Sequence, residues 1–410
     1  MQLANTPRYS DPYGRYYTKA GAAKVLVAAM GEAPTGVVIE LCAGNGALVG
    51  EASQQWKAAQ FITVDIDKNA ASSRLLGVAS AAFSHHVADA LDAKLPQKIG
   101  LPAGTAQSAL CNPPYIKPAW QKHFGEILEE AELSGVFPQI RNVPADILFI
   151  AQNLRFLRPG GKLGLILPDG IIAGEKCSSL RQALASSHHM EKVIELPRWM
   201  FRGTEAKAYV VVLTKHGSQF DSIALQRLNN DGTLTDSVAL PSERAAGRLD
   251  YSFHFSQAKQ KSQTIGVAIR DIAEPITRGS FSSSQRLGYE FPVFHTTDFT
   301  TNLNTVPRRF LLSRSRAAEV DGVFARAGDI LVARVGRNLE EKVVMVSRGL
   351  VVLSDCVLRI RVAPQYQRLT FDFLKSEAGR AALRAASHGV GAKFITFEAL
   401  LGIVIRRGAE

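Results

Sequence analysis

Through the first half of the chain, short continuous apolar runs alternate with stretches whose apolar residues return every three or four positions. Residues 20–30 carry the second pattern and are predicted to be helical. The run 36–41 (GVVIEL) is apolar almost throughout and is followed by Gly44 and Gly46, the pattern of a buried parallel strand entering a glycine turn. A helix over about 47–57 and a second strand at 61–64, ending in acidic residues, follow. Residues 106–111, 162–167, 192–196 and 209–214 are predicted as further strands. A helix over 146–157 precedes the turn Arg158-Pro159-Gly160-Gly161. Strand and helix alternating in this way predict an α/β fold, a doubly wound, Rossmann-like sheet.

From about Asp221 the texture changes. Short alternating strands (329–334, 342–346, 357–362) lie among loops rich in Ser, Thr, Gly and Arg, with a helix expected over 371–387. This predicts a second, mixed α+β domain, with the boundary between Lys215 and Thr235, that is, domains at 1–220 and 235–410. No internal repeat is visible, which argues against a solenoid.

Composition narrows the class. With 410 residues, 46% hydrophobic and 21% charged, the chain is long enough to bury two cores and is neither disordered nor collagen-like. Its net charge of +11 points to a polyanionic partner. Residues 1–220 hold 22 basic and 18 acidic side chains and residues 221–410 hold 26 and 19, so the second half is the more basic. Cys42, Cys111, Cys177 and Cys356 are scattered and have no histidine at metal-ligand spacing, so a reducing cytoplasm and no metal are expected. No apolar export segment opens the chain and no run approaches a membrane span, so neither export nor membrane insertion is expected. His85-His86 and His188-His189 read as surface or helix-end residues.

The glycine turn, Glu40-Leu-Cys-Ala-Gly44-Asn-Gly46-Ala-Leu-Val49, follows a strand, but a dinucleotide fingerprint would need a third glycine where Val49 stands. A pyrophosphate cradle is therefore disfavoured. Glu40, at the carboxyl end of its strand, would repel a phosphate and attract the amino group of an amino-acid-bearing cofactor, of which S-adenosylmethionine is one. Asp65, 21 residues beyond Gly44 at the next strand end, suits ribose hydroxyls, although Asp67 is equally available by residue type. Asp89 suits an adenine amino group. A plain turn remains the competing reading of Gly44 and Gly46.

Asn112-Pro113-Pro114-Tyr115 follows the apolar run that ends at Cys111, which places it in a loop at the ligand-facing edge of the sheet. Two prolines remove two N–H donors and leave a rigid loop of carbonyl acceptors. An NH₂ group could donate to the Asn112 side-chain oxygen and to the Pro113 carbonyl, with Tyr115 offering a flat face for stacking.

This tetrad, behind Gly44-x-Gly46 and a strand-ending Asp65, resembles the amino-methyltransferases that use S-adenosylmethionine. With Gly14-Arg-Tyr-Tyr-Thr18 ahead of the glycine turn, the order resembles the gamma-class N6-adenine DNA methyltransferases of the TaqI type. The resemblance implies that Thr18, Glu40, Cys42, Ala43, Gly44, Gly46, Asp65, Ile66, Asp89 and Asn112 line the S-adenosylmethionine site, which later holds the product S-adenosylhomocysteine. It implies catalysis by Asn112, Pro113 and Tyr115, with Phe201 packing on a flipped adenine and Trp199 as the rival for that place. Many relatives have Thr-Pro where this chain has Thr18-Lys19, which leaves Lys19 without an assigned role.

Residues 323–336, 354–355, 371–379 and 393–405 are similar to the target-recognition domain of type I restriction specificity subunits. That resemblance implies a DNA reader, with Arg278, Arg286, Arg334, Arg337 and Asn338 as candidate DNA contacts on loops, since Arg suits guanine and Asn suits adenine. Most basic residues of such a domain touch phosphate rather than bases. Glu340-Glu341-Lys342 matches a nuclease carboxylate pattern only loosely and reads better as a solvated loop. The expectation is a cytoplasmic, nucleoid-associated monomer that methylates adenine N6 in duplex DNA within a restriction-modification system, with any cognate endonuclease encoded separately. Two alternatives stand: methylation of RNA adenine or protein glutamine by the same tetrad, and a non-catalytic DNA-binding regulator.

Overall fold

A computed structural model of the chain describes residues 17–68, 82–136, 143–198, 200, 207–217, 221–256, 266–284, 286–300, 303–389 and 392–406. The chain divides into two compact units, Met1–Tyr251 and Ser252–Glu410.

The first unit is built on nine strands: β1 (Val37–Leu41), β2 (Gln60–Asp65), β3 (Phe83–Val87), β4 (Ala106–Cys111), β5 (Leu157–Pro168), β6 (His189–Glu195), β7 (Ala208–Thr214), β8 (Ser222–Arg227) and β9 (Val238–Pro241). They form one sheet in the order β3-β2-β1-β4-β5-β7-β6-β8-β9. From β3 to β5 all neighbours are parallel, and β7 lies antiparallel between β5 and β6. Chain order runs outward from β1 to β2 and β3 on one side and resumes with β4 on the other, so the strand order switches between β1 and β4. In such sheets the carboxyl ends flanking the switch form a crevice. Strands β8 and β9 add to this sheet, which therefore runs past the Lys215–Thr235 segment to Pro241.

Period-two alternation sorts the side chains between two faces. Val38, Leu110, Ile166, Val210 and Val212 join one core with α1 (Ala20–Ala29) and α2 (Ala47–Gln55). Ile39, Leu41, Ala109, Cys111, Leu165 and Val211 join the other with α3 (Leu95–Ile99), α4 (Phe124–Glu130), α5 (Ala145–Phe156) and α7 (Ser178–Ser187). The central strands are buried on both faces, which is why they read as continuous apolar runs. The expected turn at 158–161 is instead the irregular opening of β5: Leu157 pairs with Ala106, and the next pair is Lys162 with Ser108. Between β5 and α7 lies α6 (Asp169–Ala173). His188 ends α7 but is buried rather than on the surface, and His85 and His86 are half-buried within β3.

In the second unit, strands Thr277–Arg278, Val357–Ile360, Ile330–Ala333 and Val343–Met345 form one four-stranded sheet. A second sheet is centred on Leu350–Leu353, flanked by Val293–Phe294 and Leu311–Leu312, with Phe324–Arg326 also paired to it. Their inner faces and the helices Pro364–Lys375 and Glu377–Ala386 enclose a core that includes Ile330, Val332, Leu358, Leu374 and Leu383. The single helix expected over 371–387 is thus two helices. They break at Ser376, which is extended and whose hydroxyl accepts from Gly379 N at 3.1 Å, capping the second helix.

Candidate functional site

At the carboxyl ends of β1, β2 and β4 lies a cleft of about 200 Å³ whose lining includes Thr18, Glu40, Cys42, Ala43, Gly44, Asp65, Ile66, Asp89, Asn112 and Pro113. Its floor is the glycine turn. Gly44 (φ 53°) and Gly46 (φ 71°) are both left-handed, a conformation costing other residues roughly 1–2 kcal/mol, so two glycines at this spacing let β1 turn sharply into α2. Cys42 takes the same sign (φ 63°) without that freedom, and burial pushes its thiol well above its ordinary pKa. Gly46 serves as the N-cap of α2.

Two carboxylates hold the turn. Asp65 accepts from Gly44 N at 2.7 Å and from Asp67 N at 2.9 Å, tying the end of β2 to the glycine loop. That contact separates the two aspartates: Asp65 is the one bound to the loop. Glu40 is buried and accepts from Val49 N at 2.9 Å in the first turn of α2. Burial holds its carboxyl well above the usual carboxylate range, outweighing the Val49 N–H, with the charge of Asp65 adding to the rise. Beside them Ile66 is 51% exposed, an apolar surface at the cleft. Asp89 accepts from Leu91 N at 2.9 Å, closing its own turn.

The tetrad forms the opposite wall. The Asn112 side-chain NH₂ donates to Thr18 Oγ1 at 3.0 Å, and the Tyr115 hydroxyl lies 3.1 Å from Asn112 Oδ1 and 3.3 Å from the Ile166 carbonyl. The amide is held at both ends, so its orientation is fixed. Pro113 is buried, lines the cleft, and its carbonyl accepts no hydrogen bond from a described residue.

Of the expected first-unit residues, Gly46 and Tyr115 are not part of the lining but support it from behind. Phe201 and Trp199 lie outside the described residues. The lining also includes Tyr17, Pro118, Gln121, Phe124 and Phe149, which the sequence reading did not single out. Tyr17 adjoins Thr18 and Pro118 lies three residues beyond Tyr115, so proximity in sequence could have pointed to them. Phe124 and Phe149 are ordinary core positions of α4 and α5 and carry no sequence signal.

In the second unit, Arg337 and Asn338 share one turn, where Asn338 is left-handed (φ 50°) and both are exposed, while the half-buried Arg334 precedes it, separated by the short strand Val335–Gly336. Arg278 is exposed at the end of its strand, paired with Leu358. Arg286 pairs with Asp298 at 3.3 Å, which neutralises it. Glu340 is buried and held by Arg384 at 3.0 Å rather than solvated. Among the described residues no group of three or more His, Cys, Asp or Glu is placed to hold a metal, and no helix is long and apolar enough to cross a membrane.

The fold resembles that of the type IIG restriction endonuclease BpuSI, with a TM-score of 0.54 at 13% identity over 98% of this chain and 59% of that one. The methyltransferase subunit of a type I restriction-modification system from Streptococcus thermophilus aligns over 63% of this chain and 55% of that one, with a TM-score of 0.46 at 18% identity. The chain thus spans less than two thirds of either structure's length. No curated protein matches the sequence. Residues 3–239, more than half the chain and the whole of the sheet as far as β9, match the N-6 DNA methylase family, and the chain belongs to that family.

Proposed function

We propose that the chain transfers a methyl group from S-adenosylmethionine to N6 of an adenine flipped out of duplex DNA. The observation that carries this reading is the Asn112 amide, presented in the cleft with its NH₂ committed to Thr18 and its oxygen directed by Tyr115. Asn112 Oδ1 and the Pro113 carbonyl are then two acceptors for the two hydrogens of an amino group. Bonds to both draw the nitrogen away from planarity and expose its lone pair. Neutral adenine N6 is a poor base whose proton becomes acidic only as the new C–N bond forms, so the proton can pass to solvent and positioning carries most of the rate.

The cofactor fits the residues present. Ile66 offers an apolar face for a purine, Asp65 and Asp89 lie at the neighbouring strand ends for hydroxyl and amino donors, and Glu40 lies where the amino group of an amino acid would be met. When bound, it supplies an electrophilic methyl group on sulfur. An ammonium group bound beside Glu40 would favour its ionised form, offsetting the rise that burial causes. Phe201 remains the proposed stacking partner of the flipped base, with Tyr115 held to the cleft wall by its hydroxyl.

The second unit is proposed as the sequence reader, with Arg278, Arg334, Arg337 and Asn338 as its candidate contacts. The enzyme would act in the cytoplasm on nucleoid DNA, with a restriction enzyme, where there is one, encoded separately. RNA adenine and protein glutamine are the other substrates the tetrad suits. Asn112→Ala should abolish methyl transfer to duplex DNA in a tritiated-methyl assay while calorimetry shows S-adenosylmethionine binding retained; normal turnover by the variant would refute the assignment.

A further inference from the structure

The arginines that carry unneutralised charge in the second unit are not chiefly those expected to read bases. Between Asp298 and Glu319 the chain holds Arg308, Arg309, Arg314 and Arg316 and no acidic residue. All four are exposed. The registers bring two more to the same place. Leu312 and Arg326 both pair with Leu350, one on each side of that strand, so the segment entering Arg314 and the end of the Phe324–Arg326 strand lie about 10 Å apart at two strand spacings. Arg348 sits in the turn that feeds Leu350, where a side chain at Gly349 would stand 3.4 Å from the Leu311 Cβ. Arg326 and Arg348 are exposed as well.

None of the six forms an ion pair with a described carboxylate. Of the nearby acids, Asp329 takes a two-pronged contact from Arg361 at 2.7 Å, Asp298 is held by Arg286, Glu319 and Asp321 follow the helix that carries Arg314 and Arg316, and Glu290 lies in the hollow where the band begins. The band begins at a hollow lined by Tyr289, Phe291, Arg309 and Phe310, where the Arg309 guanidinium lies 4.9 Å from the Phe310 ring centre. A row of like charges left uncompensated opposes itself in the free protein, and an extended polyanion relieves it. Guanidinium in place of ammonium adds fork-shaped hydrogen bonding suited to phosphate oxygens.

We infer that Arg308, Arg309, Arg314, Arg316, Arg326 and Arg348 form a phosphate-contacting band that holds duplex DNA on the second unit without reading its sequence. The inference rests on the DNA-methylase reading above and adds a division of labour: affinity from this band, specificity from other loops.

The test compares the full-length protein with a triple variant, Arg314→Gln, Arg316→Gln and Arg348→Gln, and with the same three positions changed to Lys. Binding to a mixed-sequence duplex and to single-stranded RNA is followed by fluorescence anisotropy across a salt series, with S-adenosylmethionine binding as the check on folding. If all three contact phosphate, the log–log salt slope of the Gln variant falls by about 2.7, and the affinity lost between about 50 and 200 mM salt shrinks by about 40-fold. The loss is the same for unrelated duplexes, and the Lys variant keeps the wild-type slope. A Gln variant with the wild-type slope, or a loss confined to one sequence, overturns the band while leaving the methylase reading intact. A wild-type protein that binds its cofactor but no duplex, or prefers RNA, overturns the DNA reading and the band with it.

Discussion

The Asn112 side chain has a donor end and an acceptor end, and the two have different tasks. Its NH₂ is committed to Thr18, which comes from the segment before α1, and its oxygen, the proposed acceptor for substrate, is steadied by a hydroxyl that also reaches the Ile166 carbonyl of β5. Thr18→Val should therefore lower kcat by about 2- to 12-fold, the worth of one neutral hydrogen bond of about 0.5–1.5 kcal/mol, and Thr18→Ser should restore it in the same steady-state assay. An unchanged kcat in the valine variant would mean that the amide does not need this support. At this scale the sequence was informative where chemistry and turn geometry coincide, as at Gly44, Gly46, Asp65 and the tetrad. It was silent where a residue is core first and lining second, as with Phe124 and Phe149, because burial periodicity does not distinguish a side chain facing a cleft from one facing another helix.

Elements carry the pH response. Asp146, in the first turn of α5, is buried, and that burial raises its carboxyl from an ordinary 3.8 to about 6 despite the Ile147 N–H it accepts. The folded state then holds the proton more tightly than the unfolded chain, so stability is lost as pH rises from about 4 through about 6, by at most about 3 kcal/mol. His188, at the end of α7, shifts the other way: burial lowers it from 6.5 to about 4, so its contribution is present above pH 6.5 and is lost as pH falls toward 4. The two slopes oppose one another across the same window. Asp146→Asn keeps an acceptor for Ile147 N–H and removes one slope, so in urea unfolding the variant should be more stable than wild type at pH 8, with the difference vanishing near pH 4. A variant less stable at pH 8 would show that the carboxylate is stabilised by something beyond these contacts. Strands β1, β2, β4 and β7 were legible because strands buried on both faces leave unbroken apolar runs. The break at Ser376 was not, since a capping serine inside an amphipathic pattern interrupts the backbone without interrupting the periodicity.

Across the whole molecule, net charge alone named a polyanion but not its place. Residues 221–410 hold 26 basic against 19 acidic side chains, and among them the exposed Arg314, Arg316, Arg326 and Arg348 gather around Leu350, apart from Arg278 and Arg337, which are exposed on the segments singled out as base readers. That clustering depends on strand register, which composition does not encode. The family match reaches residue 239 and leaves the second unit to be understood from its own chemistry. The account stands or falls on the product. Purified protein, duplex DNA and S-adenosylmethionine carrying a deuterated methyl group are incubated together, and the DNA is digested to nucleosides for mass spectrometry. The account predicts deuterated N6-methyldeoxyadenosine with the wild-type protein and none with Asn112→Ala. Label in RNA adenine or protein glutamine instead, or cofactor bound with no methyl group passed to DNA, would contradict it.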